Sequence, residues 1–245
     1  MAKKPRTPDP PRKVQAPKAR HKQAQKSGFT MPGTNAFIGA GLLAIGVLVV
    51  VLFVVLSGSK GGGDVTTNDV NKVTAAMTAA GCTFKGSAAV ASGQHMADPN
   101  QTVTYKTFPP SSGTHNATPA IFGNYRLPAD PRQVVHNLEH GSIAIWYGPG
   151  VSLKVRGSLD AFYEASPNGI IITPLADSYP GVTYPKHEPL GSKIGLSVWT
   201  AKASGGTAYV AVCPNYDDKA FTAFRNAFRG KGPERVPLSQ ETPGS

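Results

Sequence analysis

Apolar positions along the chain fall into three kinds of pattern, and each predicts a different element. The first is an unbroken run, residues 36 to 56 (AFIGAGLLAIGVLVVVLFVVL), 21 consecutive uncharged residues. As a helix it would extend about 31 Å, the thickness of a bilayer core, so it predicts a transmembrane helix. The second is the helical stripe. Val70, Val73, Met77 and Ala80 share one face of residues 67 to 80, which stop at Gly81, a normal helix cap. Phe221, Phe224 and Phe228 do the same in residues 217 to 229, which open on two aspartates and end at Gly230. An aromatic stripe of that kind is core packing. The third pattern is the short β-branched and aromatic run between turn residues. Such runs at 102–108, 142–147, 169–173, 194–200 and 207–213 predict strands. The mixed order of helices and strands, without strict alternation in the strands, predicts a single exported α+β domain after one N-terminal transmembrane helix.

Polar segments divide the rest. Residues 1–35 read as a basic, disordered cytoplasmic tail: the first 30 carry nine Lys or Arg against Asp9, with five prolines and almost no large apolar side chains to offset chain entropy. Residues 57–65 (SGSKGGGDV) read as a flexible linker. The exported domain is expected over 66–230, long enough for a real core, and the Pro-rich stretch 231–245 as a disordered tail.

Charge sets orientation. Nine basic residues precede the apolar run and only Lys60 follows it before Asp64, so the tail stays in the cytoplasm and the domain lies outside the cell membrane. A cleaved secretory signal is the rival reading, although its apolar core is ordinarily shorter. The formal net charge of +11 suggests nucleic acid until it is split by segment: the tail holds +8 of it, and the remaining sixteen bases and thirteen acids leave +3 without a basic stripe. The expected partner of the tail is therefore the lipid bilayer, where each basic side chain near an anionic surface contributes about 1 kcal/mol, and nucleic acid is not expected.

Two cysteines exist, Cys82 and Cys213, both on the exported side where disulfides persist. A bridge would close a loop for which the chain-entropy model gives on the order of 4 to 5 kcal/mol. Two buried free thiols are the alternative.

Candidate chemistry lies in the histidines. His95, His115, His136 and His140 fall within 46 residues. In DPRQVVHNLEHG, Asp130 reads as N-cap, Pro131 as the first helical residue and Gly141 as the closing cap. His136 and His140, four apart, share a helix face and are near enough to hold one metal ion. Glu139 sits about 100° from His140 around the helix. His95, beside the Met96 thioether, and His115, after a Pro-Pro turn, supply further donors at loop positions. His187 reads as a surface histidine. Tyr125 and Tyr147, with Glu139, are candidate groups supporting the ligands, although buried tyrosines more often serve the core.

The run PPSSGTHN, then FGNY, then VVHNLEHG with a following IWYGP resembles the bacterial domain-of-unknown-function 3105 family. The residues that carry the resemblance are Pro109, Pro110, Ser112, Gly113, His115, Gly123, Tyr125 and His136 to Gly141. The resemblance implies an exported, often membrane-anchored protein and supplies no activity. Three functions compete. The first is an extracytoplasmic protein binding a transition metal through His115, His136 and His140, completed by His95 or Met96, with copper favoured over zinc because a thioether is available. The second is a non-catalytic accessory or interaction subunit of a cell-envelope or respiratory membrane complex. The third is a zinc-dependent hydrolase of the inverted H-x-x-E-H type, with Glu139 as general base. Against it, Glu164 and Glu188, the spare third ligands, fall on a surface helix and in a proline-rich loop.

Overall fold

Strands that lack strict alternation are strands covered on both faces, and the arrangement of the core follows from that. The structure, a computed structural model, describes residues 63–201 and 206–245. The basic tail, the expected transmembrane helix and most of the linker lie outside the described residues. Among those described, no helix is long and apolar enough to cross a membrane.

The elements in chain order are α1 (Thr67–Ala79), β1 (Thr83–Ala88), β2 (Val103–Thr104), α2 (Pro131–Glu139), β3 (Ile143–Tyr147), α3 (Leu153–Ala165), β4 (Ile170–Pro174), β5 (Val182–Thr183), β6 (Ile194–Thr200), β7 (Thr207–Cys213) and α4 (Asp218–Phe228). Among the described residues, four helices therefore accompany a mostly antiparallel sheet of order β1-β7-β6-β3-β4, with β3 and β4 its one parallel pair. A separate two-residue parallel pairing joins β2 to β5.

Period-two placement sorts the strand residues into two cores. Ile143, Ile145, Ile170 and Ile172 join one cluster with Val73 and Met77 of α1, Leu159 and Phe162 of α3, and Phe221, Phe224 and Phe228 of α4. The intervening Ala144, Trp146 and Ile171 join the other cluster with Val134, Val135 and Leu138 of α2, and with Trp199 and Tyr105. Local signals support this layering. A capping box between Thr66 and Asp69 opens α1, and a disulfide joins Cys82, just before β1, to Cys213 at the end of β7.

Two expectations are corrected. The strand predicted at 102–108 shrinks to Val103–Thr104, because its partner β5 has only two residues before Tyr184 and Pro185, and proline has no N–H to continue a ladder. The segment 231–245, expected to be disordered, is held on the domain by backbone bonds. Ala201 N–H donates to Lys231 O, Glu234 N–H to Glu139 O, Gly169 N–H to Glu241 O and Phe122 N–H to Ser245 O. Its polarity is real, but its backbone groups pair with the loops it crosses.

Candidate metal centre

The site is built on α2 and the two loops packed beside it, one carrying Gly93 and His95, the other His115 and Asn116. Asp130 caps the helix by accepting the Arg132 amide, and Pro131 occupies the first turn. The apolar side chains of Val134, Val135 and Leu138 anchor α2 to the sheet, which leaves His136, Asn137 and Glu139 buried beside the loops. Asn137 acts as a clamp: its Oδ1 accepts the Ala120 amide and its Nδ2 donates to Ala120 O, both at 2.9 Å. The clamp fixes the loop that presents the Asn116 carbonyl. That carbonyl lies 2.7 Å from His136 Nδ1. A carbonyl only accepts, so Nδ1 carries the proton and His136 Nε2 keeps a lone pair, which accepts from His140 Nε2 at 3.0 Å.

His115 is oriented by the same device. Its Nδ1 donates to Gly113 O at 2.7 Å, leaving Nε2 as the lone pair. A pair of backbone bonds, His115 N–H to Gln94 O and Met96 N–H to His115 O, sets His95 directly beside it. Ligand atoms of His95, His115 and His136 consequently lie within 4.8 Å of one another, a group that could hold a metal ion. His115 and His136 are buried, while the His95 side chain is 42 % exposed and forms the solvent side of the cluster.

Glu139 completes the arrangement. Its carboxylate is fully buried; Oε1 accepts the Gly93 amide at 2.6 Å, and Oε2 lies 2.9 Å from His115 Nε2 and 3.9 Å from His95 Nε2. His115 Nε2 and Glu139 Oε2 are close but not aligned as a hydrogen bond, and neither has another hydrogen-bond partner among the described residues. With Nδ1 protonated, both atoms present lone pairs to the same place. Two buried acceptors facing each other are unfavourable unless a cation or proton lies between them. The angle of about 100° between Glu139 and His140 does not keep Glu139 from the cluster, because a residue three positions after His136 shares its face.

His140 is the C-cap of α2, not part of its body. Its Nε2 lies 3.0 Å from His136 Nε2 and 3.6 Å from Glu234 Oε2. Burial pulls the His140 imidazole down to about 4, aided by the adjacent His136 and opposed by Glu139. Burial also lowers His115, against the Gly113 carbonyl bond and the Glu139 charge. Both rings are thus held neutral at pH 7, the form that binds metals.

Other expected residues sit elsewhere. The Met96 side chain packs against the α2 apolar cluster. The Tyr147 hydroxyl donates to Tyr125 O, and the Tyr125 hydroxyl to Ile121 O, so both are committed to backbone away from the imidazoles. His187 stacks on Phe108. The sequence reading missed Asn137, the Gly93 amide and Glu234. Glu234 had one available signal: Gly230 and Gly232, spaced two apart in a polar segment, are residues suited to close backbone approach.

The family model described as "Protein of unknown function (DUF3105)" matches residues 96–240, more than half of the chain. No curated protein and no solved structure matches it.

Proposed function

The chain belongs to the DUF3105 family of proteins of unknown function, and from that premise we propose that it is a membrane-anchored, extracytoplasmic protein that binds one divalent transition-metal ion at His95, His115, His136 and Glu139. One observation carries the reading: His115 Nε2 and Glu139 Oε2, both buried and unpartnered, face each other at 2.9 Å beside two further imidazoles. Three imidazoles and a carboxylate suit copper(II) and zinc, and the usual affinity order places copper first. With Met96 packed in the apolar cluster, the preference for copper rests on that order and on imidazole, with no contribution from a thioether. The anchor is supported by the 21-residue apolar run and the basic excess before it.

Glu139 serves this reading as a ligand or as the group that fixes His115. A general base needs a lone pair within reach of a substrate proton. Glu139 has Oε1 on the Gly93 amide and no exposed surface, which weighs against the hydrolase.

The test is elemental analysis of the purified protein after challenge with copper and zinc and removal of loose metal. One ion per chain is expected, falling below a tenth of that in His95→Ala, whose exposed side chain can be removed without opening the core. A chain that stays metal-free after both challenges overturns the proposal and leaves the histidines as a hydrogen-bonded support for an interaction module.

A further inference from the structure

A second site lies beside the edge strand β1, and none of the histidine-cluster residues lines it. Among the described residues, β1 is an edge strand paired only with β7, in the register Thr83↔Val212 and Lys85↔Val210. Period two sends Phe84 into the core with α4 and turns Lys85 to the other face. There a cleft of about 360 Å³ opens between the β1–β7 surface and the loops at 106–108 and 185–187. Val210 and Val212 line it from the sheet, and Phe108 and His187 from the loops. The last two rings stack with centroids 3.7 Å apart, and His187 Nδ1 donates to Pro185 O, which leaves Nε2 available.

The charge around this cleft is one-sided. Lys85, Lys106 and Lys186 come from three separate segments to line it, and no carboxylate among the described residues does. None of the three makes a salt bridge among the described residues. Like charges gathered on one small surface repel each other, and an anion between them relieves that repulsion. The volume is within the range of small-molecule sites, and an apolar sheet surface opposite a stacked ring pair suits a flat body.

We propose that this cleft binds a small organic anion, a flat apolar body carrying two or more carboxylate, sulfonate or phosphate groups. The charged groups are held by Lys85, Lys106 and Lys186, and the body lies between Phe108 and the two valines. A small molecule is favoured over an acidic peptide because the apolar contacts are confined to one short cleft.

Calorimetric titration of the full-length protein with three probes tests this: naphthalene disulfonate (ring and charge), naphthalenediol (ring alone) and inorganic sulfate (charge alone). The disulfonate is expected to bind one per chain, at least about tenfold tighter than either other probe, and to weaken as salt is raised. The Lys106→Ala/Lys186→Ala variant, altered only at exposed side chains, is expected to lose about tenfold in affinity while keeping the parent's thermal midpoint. Sulfate binding as tightly as the disulfonate, absence of disulfonate binding, or unchanged affinity in the double variant each overturns the proposal. So does a hexaglutamate peptide that binds more tightly than the disulfonate, since that would make the cleft a protein interface.

Discussion

Gly141 and Gly232 meet backbone to backbone: a Cβ on Gly141 would come 2.6 Å from the Gly232 nitrogen and 3.0 Å from that of Lys231. Gly141 also has φ +101°, a conformation side-chain-bearing residues rarely adopt. The last glycine of HNLEHG therefore does more than end α2. It lets the C-terminal arm cross the helix end, where Gly230 N–H donates to Gly141 O and Glu234 reaches His140.

Gly141→Ala is accordingly expected to cost about 2 to 4 kcal/mol, since the strained dihedral and the displaced arm both contribute. Urea unfolding measures the cost. Trypsin should also cut at Lys231 faster in the variant than in the parent, and equal cleavage rates would show that the arm does not depend on this contact.

Asn137→Ala removes both bonds to Ala120, taking the partner of that residue's buried carbonyl and leaving its amide only the long 3.4 Å bond to Gln133 O. A loss of about 2 to 4 kcal/mol in unfolding free energy is expected. Because the same loop presents Asn116 O to His136, metal affinity should drop about tenfold or more, as for other groups that orient a ligand. Competition with a chelator reads the affinity separately from stability.

Glu139→Gln separates the metal reading from a purely structural one by the sign of its effect. Without metal, the new amide can donate to His115 Nε2 and relieve two facing acceptors, so the thermal midpoint should stay level or rise. With metal, a charged oxygen is lost and affinity should fall about 10- to 100-fold. A variant that loses stability in metal-free buffer and binds metal as before would contradict both halves.

Much of this was legible in the chain because it depends on local pattern. The phenylalanine stripe of α4, the bounded helix at 131–139 and the strands β3, β6 and β7 follow from spacing and turn residues alone. β1 was not legible: TFKGSA has little apolar content, and what makes it a strand is its antiparallel partner β7 and the bridge at Cys82. The same limit applies to the site. The histidines announced themselves by residue type, whereas Glu139 needed the Gly93 amide and Glu234 needed the returning arm, both contacts between segments distant in sequence.

The arm also carries a pH dependence of its own. Glu241 is 1 % exposed; Oε1 accepts the Ser142 hydroxyl at 3.0 Å, and Oε2 has no partner among the described residues. Burial raises its carboxyl from 4.5 to about 7, with the Ser142 bond and the Arg229 charge opposing. The folded state therefore holds this proton between about pH 4.5 and 7 while the unfolded state has released it, so stability falls as pH rises through that window. Below it both states are protonated and the effect vanishes. Above it the ionised side chain costs the fold up to about 3 kcal/mol. Glu241→Gln keeps an acceptor for Ser142 and cannot ionise. It should match the parent at pH 4 and be more stable by about 1 to 3 kcal/mol at pH 8, with urea unfolding at the two pH values as the measurement. A parent whose advantage over the variant grows with pH would show that Glu241 is held as a paired carboxylate, and that the Arg229 charge outweighs burial.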